Sequence, residues 1–363
     1  MLSPETIERG QRVMAVCNAC RYCEGYCPVF PAMENRSAFA KDDLSYLANL
    51  CHNCGECLYA CQFAPPHEFG INVPRMLADI RLGTYEEFCW PASLAGAFRR
   101  HGVATSLTLS VVLGAVLLAM SGIAGADLWP ARPAGDFYGV IPHAAMVWLF
   151  GLTGAYLLLA LAIGGRRAAR SFAASGAASG SVRTFGLHGL VDALTLRHLH
   201  GAGADCTDAE ERRSPWRRYF HHLTMYGFGL CFASTSVAAA YHVVFGWRAP
   251  YAYGSLPVVL GTLGGLGLVI GPIGLLALRR RRDRALFDPA QDGLDVSFIL
   301  MLSMTSATGL LLLAFRGQPL MTLLLAVHLG FVLGLFLTLP YGKFVHGIYR
   351  TAALMVYAQE PPR

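Results

Sequence analysis

The stretches CNACRYCEGYC (residues 17–27) and CHNCGECLYAC (residues 51–61) each space four cysteines as C-x2-C-x2-C-x3-C. This is the ligand pattern of a bacterial two-cluster ferredoxin, in which the fourth cysteine of each run serves the other cluster. A tight loop supplies three thiolates easily, and the fourth has to return from elsewhere in the chain. Crossing the fourth ligands assigns Cys17, Cys20, Cys23 and Cys61 to one [4Fe–4S] cluster and Cys51, Cys54, Cys57 and Cys27 to a second. Two clusters that share ligands in this way lie close together, as stepwise electron transfer requires. Pro28 gives the usual C-P ending after Cys27, whereas Gln62 follows Cys61, with Pro65 and Pro66 a little further on. Structural zinc is the competing use of closely spaced cysteines, but zinc sites pair them in twos.

The 363 residues are 54% hydrophobic and 14% charged, with a mean hydropathy of +0.43. Soluble proteins run at about 25% charged, so this chain is too apolar to be one. Residues 1–10 have no apolar core, and no cleavable signal peptide is expected. Residues 1–100 read as a cytoplasmic domain, and the apolar weight lies beyond Arg100. Six stretches approach the roughly 20 apolar residues of a membrane-crossing helix: 103–125, 140–164, 223–245, 255–278, 296–315 and 319–341. The expected architecture is mainly α: an all-α two-cluster ferredoxin-like domain, then a six-helix transmembrane, cytochrome b-like domain over 101–346. An inner loop at 165–222 and a cytoplasmic tail at 347–363 complete it. In the fourth span, Gly261, Gly265, Gly267 and Gly271 form small-xxx-small pairs suited to close helix packing. No strand precedes them, which rules out a dinucleotide loop.

Lys and Arg set the orientation. With the N-terminus inside, the inner segments carry 26 of them and the outer loops three, Arg132, Arg248 and Arg316. Both termini and the cysteine domain are therefore expected in the cytoplasm, which points to the bacterial inner membrane. The net charge of +6 comes from these inner loops. The run Arg279 to Arg282 with Arg284 reads as an orientation signal and a contact for anionic lipid, not for nucleic acid. In a reducing cytoplasm the cysteines stay available for metal; Cys89, Cys206 and Cys231 are left for packing or surface.

Ser3-Pro4-Glu5 predicts a helix start over 1–12. Short helices are expected at 40–50 and at 72–88, the latter opened by Asn72 and Pro74. Each cysteine run is thus expected in a loop that opens onto a helix, and 89–102 as a linker. Residues 168–181, rich in Ala, Ser and Gly, read as a mobile low-complexity piece.

Ionisable side chains at membrane depth are scarce and usually functional. The candidates here are His143 in the second span, His221 and His222 at the inner end of the third, His242 near its outer end, His328 inside the sixth and His346 at its inner end. On one continuous helix, the 18 residues from His328 to His346 make five turns, about 27 Å, with both rings on one side. His221 and His242 fall about 60° out of line. Bis-imidazole ligation of haem needs two histidines facing each other at one depth. The inner pair is His221 or His222 with His346. The outer pair draws on His242 and His328, with His143 as a rival. One haem b, or two, is expected; no C-x-x-C-H is present for covalent attachment.

Residues 51–61, the following Gln62-Phe63-Ala64-Pro65-Pro66-His67-Glu68-Phe69, and Phe220-His221-His222-Leu223-Thr224-Met225-Tyr226-Gly227-Phe228 make the chain resemble the tricarballylate/citrate-utilisation protein B family of bacterial membrane iron–sulfur proteins. The resemblance covers nearly the whole length. More distantly, the cysteine runs resemble heterodisulfide reductase and fumarate reductase iron–sulfur subunits, and the sixth-span histidines those of nitrate reductase gamma-type cytochromes b. The family resemblance implies a partner to an FAD-dependent dehydrogenase that oxidises tricarballylate to cis-aconitate. The B protein would re-oxidise its flavin and pass electrons through two [4Fe–4S] clusters and haem b to the quinone pool. One departure stands ten residues after His221, where Cys231 replaces a second gamma-type ligand.

The chemistry agrees with an oxidoreductase role, because flavin yields two electrons while clusters and haems carry one each. No dinucleotide fold is present, so the donor is another protein docking on residues 1–100, and the acceptor that lives in lipid is a quinone. A heterodisulfide- or succinate/fumarate-reductase-like complex keeps this chemistry with another donor. A redox-sensing tricarboxylate transporter is the alternative from another class. It would show repeats and charged mid-membrane residues, which the six spans lack.

Overall fold

Ser3 begins the first helix, its hydroxyl accepting the Thr6 amide at 3.2 Å, and Pro4 occupies the first turn, where no amide is needed. This helix, α1 (Pro4–Cys20), runs eight residues beyond the predicted 1–12. The computed structural model describes residues 2–123, 135–175, 186–200, 206–207, 212–286 and 289–360. After α1 come α2 (Val29–Glu34), α3 (Lys41–Leu50), α4 (Glu56–Tyr59) and α5 (Val73–Phe88). Asn72 caps α5 by accepting the Arg75 amide at 3.1 Å, with Pro74 in its first turn, as its sequence predicts.

The core of this N-terminal domain forms where α1, α3 and α5 bury Met14, Leu44, Leu47, Leu77 and Ile80 completely. Two elements from the membrane half enter the same core. One is the C-terminal end of α8 (His143–Ala173), through Ala168 and Phe172; the other is α14 (Val345–Tyr357), through Tyr349, Ala353 and Leu354. The first part of the low-complexity piece is therefore helix, with Ala168 and Phe172 buried on one packed face. Residues 176–185 lie outside the described residues. The 347–363 tail is likewise helical core as far as Tyr357. Each fully buried aliphatic or aromatic side chain contributes about 1.5–3 kcal/mol.

Among the described residues, six helices are long and apolar enough to cross a membrane: α6 (Ala95–Ile123, with non-helical backbone at His101), α8, α10 (Trp216–Phe245), α11 (Leu256–Arg280), α12 (Asp292–Phe315) and α13 (Met321–Thr338). Between them lie α7 (Phe137–Val140), α9 (Leu187–Leu194) and a two-stranded ribbon pairing Cys206 with Ser214. Outward faces carry Trp148, Leu158, Phe232 and Val243, each at least two-thirds exposed in the isolated chain, a surface suited to lipid rather than water. On α11, Gly264, Gly267 and Gly271 lie against α10 backbone at Gly227, Leu223 and Phe220. Gly265 turns the other way, onto Leu310 of α12. The close face thus includes the 267/271 pair read from spacing, with Gly264 added and Gly261 against Ser234 of α10, and of the four glycines read from spacing only Gly265 turns away.

α13 ends at Thr338, and α14 starts afresh at Val345. The five-turn alignment of His328 with His346 therefore fails: the residues between them form a turn, and the two rings sit on different helices.

Candidate metal and cofactor site

Cys17 and Cys20 occupy the last turn of α1, not a loop. The helix stops immediately afterwards, because Arg21 takes a left-handed conformation (φ 55°) and returns its amide to the Cys17 carbonyl. A turn follows, with the Tyr26 amide donating to the Cys23 carbonyl at 3.0 Å, and Cys27 precedes α2. The second run begins at the C-cap of α3, where Cys51 is extended. It then turns at Asn53 and Gly55, with φ of 57° and 96°. A side chain at Gly55 would meet Leu286 and Tyr59 at 3.0 to 3.1 Å as well as straining the backbone.

These turns bring Cys17, Cys20, Cys23 and Cys61 into mutual range. Burial first, then Cys61, Cys23 and Cys20, push the Cys17 thiol up to about 12. Burial, Cys61 and Cys20 push Cys23 up to about 11. The second set is Cys27, Cys51, Cys54 and Cys57: burial and its fellow thiols raise Cys27 and Cys57 well above the ordinary range. Cys23 also acts on Cys57, so the two sets adjoin. Crowded, buried thiols resist ionisation unless a multivalent cation offsets their charge, which fits an iron centre at each set. Among the described residues, no three His, Cys, Asp or Glu side chains converge as a single-ion site. Cys17, Cys20, Cys23 and Cys61 line one shared cavity, which Cys57 of the second set also borders.

Behind the second run opens a cavity of about 560 Å³, lined by His52, Asn53 and Cys54 on one side and by His221, Phe228, Leu302 and His346 on the other. That volume lies within the range of cofactor sites, about 300–1,000 Å³. The His221 and His346 ring centres are 5.9 Å apart. Two metal–imidazole bonds of about 2 Å, with each ring centre ~1 Å behind its nitrogen, would place them about 6 Å apart. The Nδ1–H of His346 donates to the Lys343 carbonyl, which leaves Nε2 as the ligating atom. Burial, then Lys343, lower His346 to about 4, so the ring is neutral, as a ligand must be. The residues present thus fit a bis-histidine haem.

The other histidines do not join this arrangement. His222 stacks on Tyr226, with ring planes 3° apart, away from His346. His328 packs within the bundle, its Nδ1 3.1 Å from the Thr305 carbonyl and 3.2 Å from the Thr308 hydroxyl. The expected outer pair of His242 and His328 does not form. His242 instead meets His143, with ring centres 3.8 Å apart and planes at 17°, and Tyr138 lies against both. Ring faces ring there, whereas axial ligation requires nitrogen to face nitrogen, so this pair does not offer a second haem site.

Sequence reading missed the arginines around the cavity. It left Arg279 and Arg282 to lipid, but Arg279 pairs with Asp292 and Asp295 and Arg282 donates to the Asn53 carbonyl. Arg350 was also overlooked, although it stands four residues after His346 and so shares its helix face. Cys89 is buried and Cys231 packs against Gly264; the Cys206 side chain lies outside the described residues.

Comparison with known proteins follows the same division. The family described as citrate utilization protein B matches residues 99–363, and its Fer4-like domain matches residues 10–87. The citrate utilization protein B of Escherichia coli is 49% identical over 354 residues, covering 97% of this chain and 92% of its own length. No solved structure matches. The chain therefore belongs to the citrate utilization protein B family, with a Fer4-like N-terminal domain and six helices able to span a membrane.

Proposed function

We propose that this chain is a membrane electron carrier serving the utilisation of citrate or tricarballylate. Its donor is a reduced FAD-dependent dehydrogenase docked on residues 1–100, and its acceptor is a membrane quinone. When bound, two [4Fe–4S] clusters and a haem b supply the one-electron stations between a two-electron flavin and the quinone. Cys17, Cys20, Cys23 and Cys61 hold the first cluster; Cys51, Cys54, Cys57 and Cys27 hold the second. His221 and His346 hold the haem. The chain lies in the bacterial inner membrane with both termini cytoplasmic, a reading supported by its Lys and Arg distribution.

The observation that carries this reading is the cavity whose wall includes both the Cys54 turn and the His221–His346 pair. It brings the Cys54 turn next to His221 and His346, whose ring centres lie 5.9 Å apart with planes at 77°. The residues of the cavity have definite tasks. Lys343 fixes the His346 tautomer through its carbonyl, and Phe228 and Leu302 exclude water from the apolar side. Anaerobically purified protein is expected to contain roughly eight non-haem irons and eight acid-labile sulfides, with a b-type absorption band. Protein lacking either the sulfide or the haem would overturn the proposal.

A further inference from the structure

Four arginines from four separate elements close on one turn of backbone. Arg81 of α5 donates to the Cys51 carbonyl. Arg217, at the start of α10, donates to the carbonyls of His52 and Asn53 at 2.8 and 2.9 Å. Arg282, beyond α11, reaches the Asn53 carbonyl at 2.6 Å, and Arg350 of α14 the Leu50 carbonyl at 2.9 Å. The four carbonyls are consecutive, and they frame Cys51 and the approach to Cys54.

Carbonyls are satisfied by neutral donors, and taking a guanidinium out of water costs several kcal/mol. Hydrogen bonding alone does not explain four arginines here. All four line the cavity beside Cys54, and the carbonyls they hold belong to the backbone that carries Cys51 of the second thiol set. Arg350 acts directly on Cys27, and Cys51 in turn acts on Arg350. Burial lowers Arg350 only to about 10, so it keeps its charge at neutral pH. At the first set the situation differs: the influences on Cys17 and Cys23 are burial and their fellow thiols. That set also lies beside the exposed Tyr22. One set thus has four guanidinium groups on the backbone that carries it, and the other lies toward the surface.

We propose that Arg81, Arg217, Arg282 and Arg350 are positioning residues that stabilise the reduced state of the centre held by Cys27, Cys51, Cys54 and Cys57, making it the higher-potential member of the pair. This rests on the reading that both thiol sets hold [4Fe–4S] clusters. Reduction adds one negative charge to a buried centre, and fixed positive charges in a medium of low dielectric offset it. A single electron passes between the two sets. The Cys17 side is oxidised as the Cys51 side is reduced, with no bond made and no proton moved, and reduced flavin of the partner replaces the electron. The arginines thereby give transfer a direction, from the exposed set toward the His221–His346 cavity.

The test is a dithionite titration of the purified full-length protein, followed by electron paramagnetic resonance, comparing wild type with Arg350→Gln, Arg81→Gln and Arg350→Lys. Two separate midpoints are expected in the wild type. Each Gln variant should lower the higher midpoint and leave the lower one in place, and Arg350→Lys, which keeps the charge, should restore it. Two cluster signals whose midpoints ignore these changes, or move together, would overturn this inference alone. Absence of any cluster signal in wild type would overturn the proposed function and this inference with it.

Discussion

His221 and His328 show how similar residues part company once their neighbours are known. Both stand on apolar helices, but His221 faces His346 across a cavity, whereas His328 is held against α12 by Thr305 and Thr308. Replacing His221 or His346 with Ala is expected to abolish the b-type absorption band. His328→Ala and His222→Ala should leave it unchanged, as judged by reduced-minus-oxidised spectra of the purified variants. The cysteines needed no such arbitration, because their ligand spacing is local and two turns suffice to gather each triple. The histidine pairing was only half legible. His221 with His346 could be read from depth, but the stacking of His143 on His242 depends on how α8 and α10 meet, which spacing along either helix does not reveal.

At the scale of elements, α14 carries the main surprise. A short apolar-and-basic stretch after the last span reads as a tail, yet its face of Tyr349, Ala353 and Leu354 completes the core of the N-terminal domain. Its hydrophobic period was present in the sequence, as were Pro340 and Gly342 in the turn at 339–344; the core onto which it turns back was not. Tyr349 is almost wholly buried, with its ring against Tyr85 and Phe88. Tyr349→Ala should cost about 3–5 kcal/mol, seen as a lower unfolding midpoint in a thermal melt of the detergent-solubilised protein. The glycine stripe of α11 makes a second claim at this scale. A methyl at Gly264 would meet the Cys231 amide nitrogen at 2.8 Å, backbone that cannot swing aside. Gly264→Ala should therefore destabilise the α10–α11 contact by about 1–3 kcal/mol, whereas Gly151→Ala, which meets open space, should be neutral in the same melt.

Across the whole molecule, the cysteine domain, the adjoining ends of the long helices and α14 meet around the cavity. Six spans were legible because bilayer thickness dictates helix length. The joint between domains was not, since it depends on arginines and a buried helix that composition assigns to lipid or solvent. A reporter fused after Arg363 should be active only on the cytoplasmic side, and activity on the outer side would reverse the orientation proposed from the Lys and Arg count. The most direct test of the proposed route compares wild type with Cys57→Ser in anaerobic stopped-flow, after each is confirmed to hold equal haem. Mixed with a reduced flavoprotein dehydrogenase, wild type should show rapid growth of the reduced b-type band and the variant almost none. Haem reduction in the variant at the wild-type rate would contradict an electron path through the cysteine centres.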